Sequence, residues 1–263
     1  MAAGASSGGP RHGGRGRSRA RARRVRAHRA LTALFGAAAL AHLGALLAAP
    51  SAALFTKPAL MPLLAAYVLA RGGPRLLVVA LLFGCGGDTL LQVGGDVPFL
   101  LGMGSFAAGH VCYLVLCSRH GSPGGARTRR LAAGYGAAWL VTVALLWPGL
   151  EAGLRVPVAL YSLLLVTMAL CATRTLPLAA AGGALFVVSD TLIATGVAGW
   201  PQAPAAQFWV MLTYIGAQLL LAEGILRSAI LPDAEGAGRE PGPSAHKRER
   251  QRTASRASTM PKP

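Results

Sequence analysis

Asp88 in GGDTLLQ and Asp190 in VSDTLIA hold the same place in two nearly repeated stretches, and each stretch lies inside a long apolar run. A charge at the centre of a bilayer costs about 3 kcal/mol or more, so two of them in apolar sequence require a partner or a purpose. Two carboxylates that share a low-dielectric pocket release their protons in separate steps, so one can act as an acid while the other stays ionised. That arrangement suits cleavage through an oxocarbenium ion, where a general acid works beside an electrostatic stabiliser. It suits a proton-coupled carrier equally well. Spacing alone does not choose between them.

Other polar residues share these apolar runs: Lys57, His110, Gln218 and Glu223, with Tyr113, Tyr161 and Tyr214. At about 1.5 Å of rise per residue, Asp88, Asp190 and Lys57 each fall about 8–12 Å from the same end of their spans. Tyr161 and Tyr214 lie at similar depth; His110, Tyr113 and Gln218 lie one to two turns deeper. Lys57 at matching depth is the natural counter-charge for the acids. A tyrosine in a membrane helix is usually a packing residue with its hydroxyl bonded nearby, and Lys57 can also extend towards the interface. Glu223 sits near the opposite end beside Arg227, where an interfacial ion pair is expected. The two aspartates are expected to face a shared polar cavity.

The elements that must position these residues follow from composition. The chain has 263 residues, of which 53% are hydrophobic and 13% charged, about half the charge of a typical soluble domain. Apolar blocks near 30–49, 52–70, 75–92, 97–118, 129–147, 154–172, 178–198 and 207–227 have the length that crosses a bilayer. The fold expected is all-α, a polytopic bundle of about eight spans. Asp88 in the third span and Asp190 in the seventh also suit a parallel duplication of two four-helix units.

The net charge of +17 does not point to nucleic acid, because it is concentrated in two tails flanking the apolar blocks. The loops ARGGPR, SRHGSPGGARTRR and ATRTLP carry arginine, whereas the opposite loops hold Asp96 and Glu151 but one arginine, Arg155. Lysine and arginine accumulate on the cytosolic side, so both tails are expected there, in contact with anionic lipid headgroups. The chain divides into an Arg-rich arm (1–29) and a polar, basic tail (229–263), both expected to lack structure, around a membrane domain (30–228). Cys85, Cys112, Cys117 and Cys171 show neither a CxxC pair nor a metal-ligand spacing, and read as packing residues; no metal or cofactor is expected.

The strings TKPALMPLL (56–64), GGDTLL (86–91), LLGMGSFAAGHVCYL (100–114), YSLLLVTM (161–168), LFVVSDTLIA (185–194) and YIGAQLLLAEG (214–224) occur in one order. Together they resemble the YhhN-type family of membrane lysoplasmalogenases, its vertebrate members in particular. The resemblance implies hydrolysis of the vinyl-ether bond of lysoplasmalogens to a fatty aldehyde and glycerophosphocholine or glycerophosphoethanolamine, in the endoplasmic reticulum membrane. It implies Asp88 and Asp190 as the catalytic pair, with their roles unassigned. Lys57, His110, Tyr113, Tyr161, Tyr214 and Gln218 match family motif positions as pocket residues. Lys57 or an arginine near the pocket mouth is expected to hold the phosphate. Two other readings stay open beside this one, a proton-coupled carrier of a small amphiphile and a non-catalytic lipid-binding protein.

Overall fold

The computed structural model describes residues 13–237. Its helices are α1 (Gly13–Ala48), α2 (Pro50–Ala70), α3 (Arg75–Val93), α4 (Asp96–His120), α5 (Ala126–Leu146), α6 (Ala152–Ala172), α7 (Pro177–Val197) and α8 (Ala206–Ala237), with a short 3-10 turn, Trp147–Gly149, after α5. Among the described residues all eight are long and apolar enough to cross a membrane. Every expected span is a helix, and the chain is an all-helical polytopic bundle. The outside is apolar as well as the inside: Leu40 is 72% and Phe55 84% exposed, a surface that suits lipid rather than water.

Both ends of the bundle differ from the expected division of the chain. α1 is already helical at Gly13, within the Arg-rich arm, and α8 continues to Ala237, within the tail. Arginine and alanine are strong helix formers, and GRGRSRARARRVRAHRA contains little else after its first residues. Residues 1–12 and 238–263, the rest of the arm and tail, lie outside the described residues.

Local sequence sets where the helices begin and end. Proline opens α2 and α7, where its missing N–H has no helical partner to lose. Between α3 and α4 the chain reverses through Gly94 and Gly95, both with positive φ (78° and 87°), a backbone conformation that side chains disfavour. α2 runs unbroken across Pro58 and Pro62. The carbonyl of Pro58 accepts a contact from Cys85 Sγ at 3.4 Å, tying α2 to α3 beside the acid.

Side-chain size sets the packing. α7 lies along α8 over most of its length, and α8 also touches α1, α2, α3 and α4, which makes it the central helix. The close approach depends on Gly182, where a Cβ atom would lie 2.6 Å from the Leu221 backbone nitrogen. The core is continuous through Leu60, Met61, Leu64, Leu77, Phe186 and Leu221. α5 stands apart, packing chiefly against α6 and the turn that follows it, with Leu146 its one buried side chain. A second small cluster of Leu146, Leu150 and Ala198 ties the end of α5 to the end of α7. All four cysteines are free thiols, with Cys117 and Cys171 buried.

Candidate active site

The first acid is held by a cation from the preceding helix. Asp88 on α3 is 2% exposed, and its Oδ1 lies 3.3 Å from Lys57 Nζ on α2, the pairing that equal depth predicts. Its other oxygen, Oδ2, has no hydrogen-bond partner. The Tyr214 hydroxyl on α8 lies close enough to interact with this carboxylate. A polar chain stands behind that tyrosine. Tyr113 on α4 donates to Gln218 Oε1 at 2.6 Å, and Gln218 Nε2 donates to Tyr214 Oη at 3.2 Å. The acceptor role of Tyr214 leaves its own hydrogen free for Asp88.

The second acid is built on the same plan with different groups. Tyr161 on α6 donates to Asp190 Oδ2 on α7. His110 Nε2 on α4 lies 3.1 Å from the Tyr161 oxygen. Because the tyrosine gives its hydrogen to the acid, the histidine must donate to the tyrosine, which fixes its Nε2–H tautomer. His110 Nδ1 is buried without a partner, the cheaper atom to leave unbonded in that tautomer because it carries no hydrogen. Each acid therefore meets a side chain from the helix before it and, through a tyrosine, the fourth helix of the opposite half.

The two arrangements meet in a cluster of rings. Phe186 packs edge-on to His110 at 4.7 Å and to Tyr214 at 5.5 Å, and Phe106 packs edge-on to Tyr214 at 5.9 Å between ring centroids. The acids are within electrostatic range of each other. They do not share one polar cavity, contrary to the expectation above. A cavity, about 1070 Å³ of empty space including its open mouth, runs chiefly between α4, α5, α6 and α7, and of the two acids only Asp190 lines it. Phe106, which lines the cavity, also fills the space beside Gly87, the residue before Asp88. The walls are largely apolar, with Met103, Leu146, Val158 and Leu165 among them.

All eight residues singled out from sequence thus belong to one buried or half-buried network, but only Asp190 and Tyr161 reach the cavity. Glu223 behaves as expected, 3.0 Å from Arg227. It also receives the Tyr67 hydroxyl and faces Arg71 at 3.7 Å, an ion cluster at the other end of the bundle. Sequence reasoning missed His42 on α1, which is 1% exposed and bonds Thr56 at 2.7 Å, next to Lys57 in the chain. It also missed Trp139 on α5, whose Nε1 donates to Ser162 at 3.0 Å and joins two cavity walls. Among the described residues no three His, Cys, Asp or Glu side chains converge as a metal-ligand set.

A model of the YhhN family matches residues 52–225, which takes in α2 to α7 and most of α8. The chain belongs to the YhhN family. No curated protein and no solved structure matches it. The match begins within α2 and leaves α1 outside. The YhhN core therefore contains both acids, the Lys57 partner and every wall of the cavity, while His42 is contributed by a helix beyond it.

Proposed function

We propose that this YhhN protein is a hydrolase of the vinyl-ether bond in lysoplasmalogens. It would release a fatty aldehyde and a glycerophosphodiester, with the endoplasmic reticulum as its membrane and both tails in the cytosol. One observation carries the reading: Asp190, bonded by Tyr161, lines a largely apolar cavity between membrane helices that is open at its mouth. A vinyl ether is cleaved when its β-carbon takes a proton. The oxocarbenium ion that results is attacked by water, and the hemiacetal collapses to aldehyde and alcohol.

Asp190 has no cation within ion-pair distance among the described residues, and one of its oxygens is free of protein hydrogen bonds. It is assigned as the acid that gives the proton. Tyr161, anchored by His110, fixes the orientation of the other oxygen. After the transfer the Asp190 carboxylate accepts a proton from the attacking water, which restores the acid. Asp88, ion-paired with Lys57 at 3.3 Å and within electrostatic range of Asp190, is assigned to stabilising the cation. A positioned general acid is worth about 10²–10⁴ in rate. Asp190→Asn should therefore remove turnover by the purified protein in detergent without altering its melting. A carrier would release no aldehyde in this assay, because it moves its cargo without cleaving it.

A further inference from the structure

Apart from Asp190, the cavity wall carries one charged residue, Arg155. It lies in the first turn of α6, whose N-terminus has neither a side-chain cap nor an acidic residue within that turn. Its Nε donates to the Leu150 carbonyl at 3.1 Å, and its guanidinium lies over the Trp147 ring at 5.9 Å. These two contacts aim the head group. Neither takes up the four N–H bonds of its terminal nitrogens, and no carboxylate among the described residues pairs with it. Glu151, one turn earlier, is exposed and makes no ion pair with it. Lys57, the other cation considered for holding a phosphate, is occupied by Asp88.

We infer that Arg155 is the anion-recognising residue of the cavity, and that its ligand is the phosphodiester of a single-chain phospholipid. The inference rests on the hydrolase reading for the reaction but not for the binding. A planar guanidinium with free paired N–H groups matches two phosphate oxygens, and the uncapped helix end adds favourable dipole. Arg155 and Tyr161 are six positions apart on one helix, about 9 Å along its axis. That separation is comparable with the glycerol unit between the phosphate and the vinyl ether of a lysoplasmalogen. With the phosphate on Arg155, the reacting bond reaches Asp190, and the chain runs on past Leu165 and Val166 between α5 and α6.

The test is calorimetric binding of a non-hydrolysable alkyl-ether lysophosphocholine, and of the alkylglycerol that lacks phosphate, to the full chain in detergent. Wild type is compared with Arg155→Gln and Arg155→Lys, each checked by melting. The expected result is lysophosphocholine binding about 10- to 100-fold weaker in Arg155→Gln, a smaller loss in Arg155→Lys, and unchanged alkylglycerol binding. Equal losses for both lipids, or no loss for lysophosphocholine, overturn the inference. Aldehyde release from a lysoplasmenyl lipid is measured on the same proteins. Arg155-dependent binding without any turnover by wild type removes the hydrolase and keeps the phosphate site. Turnover with an unchanged KM in Arg155→Gln does the reverse.

Discussion

Replacing Lys57 with methionine keeps the aliphatic stem and removes the cation from beside Asp88. The acid is 2% exposed, Oδ1 loses its partner at 3.3 Å, and Oδ2 has none to begin with. Breaking a buried pair from one side costs about 3–5 kcal/mol. The lower end, about 3 kcal/mol, is expected here because the Tyr214 hydroxyl still faces the carboxylate. The opposite change, Asp88→Asn, is milder. The Lys57 side chain retains 15% exposure and stands seven positions after Pro50, about 10 Å from the helix start, near enough to reach the interface. It should cost about 1–2 kcal/mol. The double variant strands no charge and should be more stable than Lys57→Met alone, with a coupling of about 1–3 kcal/mol. Unfolding of the four proteins in mixed micelles measures the cycle. Additive losses would show that the two groups do not stabilise each other and would remove the basis for treating Lys57 and Asp88 as an ion pair.

Other consequences follow from the same geometry. Gln218→Leu strands the Tyr113 hydroxyl and withdraws a donor from Tyr214 in the core, and should cost about 1–3 kcal/mol in melting experiments. Gly182→Ala places a Cβ 2.6 Å from a backbone nitrogen of α8 and should destabilise by about 1–3 kcal/mol, with activity per folded molecule unchanged. Tyr161→Phe removes the bond that orients Asp190 and leaves the buried His110 Nε2–H without a partner; it should lower kcat about 10-fold or more and cost about 1–3 kcal/mol in melting. A disulfide joining α5 to α7 across the cavity should block lipid uptake reversibly, because α5 is the wall held chiefly by α6; reduction restores aldehyde release.

Much of this arrangement was legible in the sequence because membrane helices announce themselves by length and hydropathy. The block at 75–92 is the helix Arg75–Val93, and depth along each span was enough to pair Lys57 with Asp88. Depth is one coordinate, however. It says nothing of which face a side chain occupies, and so the expectation of one polar cavity between the acids missed that only Asp190 lines the space, whose walls are largely apolar. His42 was missed because a lone histidine on α1 has its partner on α2, a contact that neither periodicity nor motif encodes. Arg155 did leave a signal, as the single arginine among loops otherwise free of basic residues. What sequence could not supply was the wall opposite, since Trp139 and Ser162 meet only when α5 folds back on α6.

The most direct measurement is aldehyde release from a lysoplasmenyl lipid by the purified protein, beside its Asp190→Asn and Asp88→Asn variants. The account predicts turnover by wild type, none above background for Asp190→Asn, and a marked loss for Asp88→Asn, all three melting cooperatively. Near-full hydrolysis by Asp190→Asn would contradict it, since the acid in the cavity would then not be the source of the proton.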